Sequence, residues 1–252
     1  MFDTHAHLFD KRLSLEIDSI LNELKKQNCT GILCVIDSEQ EAELFIKYCN
    51  KFPFLYCSIG THPHNAKKFD IKKQLVLYES LKLTKRLVAL GEIGLDFYYN
   101  FSDKNQQIKC FETQLTFAKE NSLPVIIHSR QSNDMVLDIL KSYKITKGVF
   151  HCFSGNVFEM HQVVNLGLKI GITGIITFSD SEILRNVVSS VPEKSLVVET
   201  DCPYLSPNPV RGKTNSPLNL KYIIDEIAKT RKTEVAKMEF VLDTNSRNLF
   251  NL

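Results

Sequence analysis

Eight short β-rich runs recur along the chain, separated by segments long enough to form helices, and this alternation limits the folds open to it. The runs are residues 2–7, 31–36, 54–60, 86–93, 124–128, 148–153, 168–174 and 196–201. Most read as nearly unbroken apolar stretches such as GILCVI, the pattern of parallel strands buried on both faces. Between runs, Leu13, Ile17, Ile20, Leu21 and Leu24 form one apolar stripe at helical spacing. Ile108, Phe111, Leu115 and Ala118 repeat it, as do Met135, Val136, Ile139, Leu140 and Tyr143. After the last run, CPYLSPNPVRGKTNSP reads as a long loop, followed by two helices marked by Leu220, Ile223, Ile224 and Ile227 and by Val235, Met238, Val241 and Leu242. Eight strands with helical crossovers predict an α/β fold, a single (β/α)₈ TIM barrel, and 252 residues is the usual size for one. An open doubly wound sheet is the alternative. No repeat, linker or low-complexity tract divides the chain, so residues 1–252 are expected to form one domain.

The polar residues of the runs occupy corresponding places. His5 and His7 lie at the end of the first, Glu92 near the end of the fourth, and His128 at the end of the fifth. His151 lies near the end of the sixth and Asp201 at the end of the eighth. In a barrel these C-terminal ends gather around one mouth, where active sites are built. Residues two apart on a strand face the same way, with Cα atoms about 6.6–6.8 Å apart, so His5 and His7 can converge on one ion. Singly, each has a plainer explanation: a solvated H-x-H pair, an ion-paired Glu92, core histidines at 128 and 151, a loop-capping Asp201. Six metal-capable side chains in register predict instead a metal-dependent hydrolase with His5, His7, Glu92, His128, His151 and Asp201 as ligands. Four imidazoles and two carboxylates exceed one tetrahedral site. They fit two divalent ions about 3.5–4 Å apart with a carboxylate between them. Nitrogen-rich ligation suits Zn²⁺, Mn²⁺, Co²⁺ or Fe²⁺ better than Mg²⁺. Asp201 is the candidate general base, because a carboxylate can ligate an ion and still accept a proton from water.

The net charge of +2 is too small for a nucleic-acid footprint spread over the surface, so any site for a polyanion must be local. Candidate phosphate contacts near the mouth are His62, Arg130, Ser154, Tyr204 and Arg211, the arginines because their planar fork donates two bonds. Tyr204, Phe97, Tyr98 and Tyr99 are candidates for stacking on unpaired bases, although such a run also serves ordinary packing. Seven cysteines form no C-x-x-C pair, the first residues carry no secretory pattern, and no apolar run is long enough to span a membrane. A cytoplasmic monomer without membrane contact is expected.

The segments DTHAHLF (3–9), IGTHPH (59–64), GEIGLDFYY (91–99), PVIIHSR (124–130), HCFSG (151–155), ETDCPYLSP (199–207) and RGKTNSP (211–217) occur in this order. Together they resemble the TatD family of metal-dependent deoxyribonucleases, within the amidohydrolase-like barrels. The resemblance implies one metal held by His5, His7, Glu92 and Asp201, and a second by Glu92, His128 and His151, with Glu92 bridging. It also implies a nuclease acting on single-stranded DNA or 3′ ends in the 3′-to-5′ direction, with Mg²⁺, Mn²⁺ or Zn²⁺. An amide, lactone or aminoacyl-tRNA ester hydrolase on the same barrel is the enzymatic alternative. A non-catalytic metal-binding or nucleic-acid-binding protein is the other.

Overall fold

The computed structural model describes residues 1–99 and 101–252. Its eight strands are β1 (Phe2–Ala6), β2 (Gly31–Ile36), β3 (Leu55–Ile59), β4 (Leu87–Asp96), β5 (Val125–Arg130), β6 (Gly148–Phe150), β7 (Lys169–Ile172) and β8 (Leu196–Val198). They pair in sequence order, every pair parallel. Just past β8, Asp201 N donates to His5 O at 2.9 Å and His7 N donates to Cys202 O at 2.8 Å, which joins the last strand to the first. The fold is therefore the TIM barrel and not the open sheet.

The outer layer consists of α1 (Ile17–Lys26), α2 (Glu39–Cys49), α3 (Ile71–Lys82), α4 (Lys104–Glu120), α5 (Asn133–Tyr143), α6 (Val157–Asn165), α7 (Glu182–Ser190), α8 (Leu220–Thr230) and α9 (Val235–Phe250). Their starts follow from local chemistry. Asp103 and Gln106 form a reciprocal cap on α4, and Asn156 and Glu159 do the same on α6, satisfying amide donors that the first turn leaves free. No described helix is long and apolar enough to cross a membrane.

Strand alternation decides where the site can form. Phe2, Leu33, Ala89, Ile126, Val149 and Val197 pack together inside the ring, with Leu249 and Phe250 of α9 against them. Side chains two residues apart share a face. The inner face therefore passes from Ile126 to His128, from Val149 to His151 and from Val197 to Glu199, apolar at one end and polar at the other. The alternate residues, such as Ile32, Cys34, Ile36, Val125, Ile127, Leu196 and Val198, pack into the larger core between sheet and helices.

Three strand ends differ by three residues from the sequence expectation, the others by at most two. β4 continues past 93 to Asp96, with a register shift between Leu90 and Ile93. β6 ends at Phe150 and β8 at Val198, so His151 and Asp201 stand just beyond their strands. Left-handed backbone at Cys152 (φ 45°) and Asp201 (φ 53°) turns the chain out of the sheet at both places.

Candidate metal centre

Glu92 is buried at the centre of the polar end and presents its two oxygens to different histidines. Oε2 lies 3.4 Å from His5 Nε2 and 3.8 Å from His7 Nε2. Oε1 lies 2.7 Å from His128 Nδ1, 3.6 Å from His62 Nε2 and 3.7 Å from His151 Nε2. Asp201 Oδ1 completes the first side, 3.8 Å from His5 Nε2, 3.6 Å from His7 Nε2 and 3.9 Å from His151 Nε2. The His5 and His151 rings stack with centroids 3.5 Å apart.

These residues fit divalent cations. Apart from the His128 contact, the imidazole nitrogens around Glu92 stand at the edge of hydrogen-bond range or beyond it, a poor use of buried polar groups unless something sits between them. His5 Nδ1 is buried with no hydrogen-bond partner. Donor atoms of His5, Glu92 and His151, of His5, His7 and Asp201, and of His62, Glu92 and His128 each lie within 4.8 Å of one another.

The electrostatics favour ligation at His5, His7, His62 and Glu92, while His151 and Asp201 hold protons that bound cations would displace. Burial pushes His5 down to about 4 and His62 down to about 3, and it lowers His7. These rings are therefore neutral near pH 7 and hold the lone pair a metal needs. Burial alone would raise the Glu92 carboxyl, but His151, His62, His5 and the bond from His128 hold it well below its usual range. Burial pushes Asp201 up to about 8, aided by the charges of Glu92 and Glu199 and opposed by His151.

Further carboxylates orient the ring of donors. Glu199 Oε1 lies 2.9 Å from His151 Nδ1 and accepts from Cys152 N at 2.6 Å, while Oε2 accepts from Thr4 Oγ1 at 3.2 Å. Against the opposing cost of burial, the charges of Glu199 and Glu92 raise His151 to about 10. Asp96 Oδ2 lies 3.2 Å from His128 Nε2 and 2.7 Å from His64 Nε2. The side chain of Gln107 holds Asp96 by its backbone, accepting from Asp96 N at 2.8 Å and donating to Asp96 O at 2.9 Å. Outer partners of this kind set ring orientation, and their loss typically costs about 10–100-fold in metal affinity or activity. Glu199→Gln should accordingly weaken Mn²⁺ binding about ten-fold in a calorimetric titration of protein shown to be folded by circular dichroism. Unaltered affinity would show that Glu199 does not orient His151.

All six residues expected as ligands meet at this point. His62, expected to contact substrate, lines the cavity and also sits among the donors, its Nε2 3.3 Å from His128 Nδ1. Arg130, Ser154 and Tyr204 line a cavity of about 940 Å³ above the cluster, together with His7, His62, Glu92, His128, His151 and Asp201. Among the described residues that line it, Arg211 is missing; its guanidinium lies over the Phe178 ring, 3.5 Å from the centroid. Sequence reading passed over Asp96 and Glu199. Each stands on the strand path of a recognised residue, four after Glu92 and two before Asp201, at even spacings that share a face in a regular strand.

Known proteins resemble this chain over its whole length. The family model described as TatD related DNase matches residues 2–251. The chain is 32% identical over 260 residues to the 3′-5′ ssDNA/RNA exonuclease TatD of Erwinia tasmaniensis, covering 100% of both. It is 30% identical over 255 residues to the uncharacterized metal-dependent hydrolase YabD of Bacillus subtilis, covering 100% of this chain and 99% of that one. Among solved structures, YJJV, a TatD homologue from Escherichia coli K12, superposes with a TM-score of 0.92 at 28% identity, covering 100% of this chain and 98% of that one.

Proposed function

The chain belongs to the family of TatD-related DNases and is a metal-dependent hydrolase, and from that premise we propose that it removes nucleotides from the 3′ end of single-stranded DNA with two divalent ions. The observation that carries the reading is the division of Glu92, one oxygen toward His5 and His7 and the other toward His62, His128 and His151. One ion would be held by His5, His7, Glu92 and Asp201, the other by Glu92, His128 and His151, with His62 beside them. Residues 1–252 would act as one catalytic domain.

Bound ions would polarise the scissile phosphodiester and lower the pKa of water at the site. The protein's own groups then have distinct tasks. Neutral His5 and His62 offer lone pairs without proton release, and buried Glu92 brings the negative charge that two cations need. Asp201 Oδ1, at the edge of the cluster and facing the cavity, would be held ionised by the bound cations against the effect of its burial, and in that form takes the proton from the attacking water. Arg130, exposed at the rim, donates to the non-bridging phosphate oxygens. Water oxygen bonds to phosphorus, the bond to O3′ of the penultimate nucleotide breaks, and a 5′-mononucleotide leaves.

The test uses metal-stripped protein with 3′-labelled and 5′-labelled single-stranded DNA, restored with Mg²⁺, Mn²⁺ or Zn²⁺. Stepwise, metal-dependent shortening from the 3′ end is expected. Asp201→Asn should lower turnover by about 10²-fold or more, the usual contribution of a general base, with far less effect on DNA affinity. Equal loss of turnover and affinity would contradict the base role. Intact DNA under all three metals, from metal-loaded protein, would shift the substrate to an amide, lactone or aminoacyl ester.

A further inference from the structure

The rim of the cavity is divided by charge. Where the chain leaves β1 and β2, the lining residues are Asp10, Asp37 and Glu41. Arg12, beside that arc, is bound to Asp10 through Nη2 at 2.7 Å and Nε at 2.9 Å. Where the chain leaves β3, β4 and β5, the lining residues include Lys67, Lys68 and Arg130, with Tyr99 and Phe101 between them. A net charge of +2 for the whole chain makes this local separation the informative quantity.

The aromatic residues of the basic arc are not buried as a packing cluster would be. Tyr98 is 52% exposed, Tyr99 38% and Phe101 53%. They are nevertheless held in place. Tyr98 N and Tyr99 N donate to Asp96 Oδ1 at 3.0 and 2.9 Å. The Tyr99 and Phe101 rings stack with centroids 5.4 Å apart and 24° between planes, and His64 meets them edge-on at 5.4 and 4.8 Å. The Arg130 guanidinium lies 4.2 Å from the Tyr98 centroid and 4.8 Å from that of Tyr99. Asp96, which fixes this arrangement, also touches His128 of the metal cluster at 3.2 Å. A preformed aromatic wall edged by cations therefore adjoins the metal cluster through Asp96, and the acidic arc of the same cavity repels phosphate.

We propose that this wall is the binding surface for single-stranded nucleic acid, with unpaired bases stacking on Tyr98, Tyr99 and Phe101 while Arg130, Lys67 and Lys68 hold the phosphates. The strand approaches Glu92 over β3, β4 and β5, and the acidic arc keeps its backbone away from β1 and β2. This assignment rests on the nuclease reading of the same site. It explains a preference for single strands, because paired bases stacked in a duplex have no free face to offer.

The test is fluorescence anisotropy with the full chain in Mn²⁺. The probes are a fluorescein-labelled, phosphorothioate-linked oligothymidylate of about ten nucleotides and an abasic oligomer of equal length and charge. Phe101→Ala should weaken oligothymidylate binding about ten-fold, within the range for loss of one stacking contact, and abasic binding by less than about two-fold. Phe240→Ala, at an exposed ring of α9 outside the cavity, should bind like the unaltered chain, and thermal melting confirms that each variant is folded. Replacing Lys67 and Lys68 by Ala should reduce the salt dependence of log K by about 0.7 for each charge. No loss on either oligomer, or equal loss on both, overturns the proposal. Hydrolysis of a small chromogenic phosphodiester, measured in parallel, separates the two readings. Turnover of that diester without base-dependent binding removes only the aromatic wall, whereas base-dependent binding without any turnover keeps the wall and removes the hydrolysis.

Discussion

Glu92→Gln is expected to lower turnover by at least about 10³-fold while the chain remains folded. Glutamine preserves volume and loses the charge around which five histidines are gathered, at 2.7 to 3.8 Å. A carboxylate shared between two ions supports both, so its loss removes several kcal/mol of transition-state charge stabilisation, and about 4 kcal/mol is already a factor of about 10³. The same substitution should abolish stabilisation by metal. An ion present at about 100 times its Kd adds about 2.7 kcal/mol to a folded chain that binds it, which is several degrees of melting temperature for a protein of this size. The unaltered chain should show that rise on addition of Mn²⁺ and Glu92→Gln should not. A variant that keeps both turnover and the rise would place the ions elsewhere.

Gly94→Ala should have the largest effect on stability. Gly94 has φ 144°, a conformation side chains rarely adopt, and pairs with His128 across β4 and β5. A Cβ there would collide with the His128 carbonyl oxygen, a backbone atom that cannot turn aside. Strain and collision together should cost about 3–5 kcal/mol, lowering the melting temperature by about 10 °C or more. Any surviving fold must move His128 from Glu92, so activity should fall as well. Gly212→Ala separates the two causes, because Gly212 also has positive φ (84°) but nothing within 4 Å of the added atom. Similar melting curves for the two variants would show that the collision contributes nothing.

The barrel was legible because its strands are buried on both faces, which turns them into apolar runs that stand out from amphipathic helices. That the six residues expected as ligands would meet was legible for a related reason: each stands at or near the end of an apolar run, and their occurrence in register outweighs the plainer use any one of them has alone. The helices α2, α3, α6 and α7 were read only as connections long enough for a helix, although Leu184, Val187 and Val188 form a buried stripe on α7. His62 escaped as a donor because it follows β3 in a loop, where two-residue alternation no longer says which way a side chain faces. Asp96 escaped because its even spacing from Glu92 counts only if β4 runs on past 93, which the sequence pattern does not announce. Glu199 lay within an apolar run beside the more conspicuous Asp201, and its contact with His151 depends on β6 and β8 both facing the barrel interior. Arg211 looked like a phosphate ligand from its loop, but its position over Phe178 follows from loop packing that periodicity does not encode.

The central claim is that Glu92 joins two metal ions, and anomalous X-ray scattering from crystals grown in Mn²⁺ tests it most directly. The account predicts two peaks, each within coordination distance of one Glu92 oxygen, one facing His5, His7 and Asp201 and the other facing His128 and His151. A single peak, or two peaks that both avoid Glu92, would contradict it.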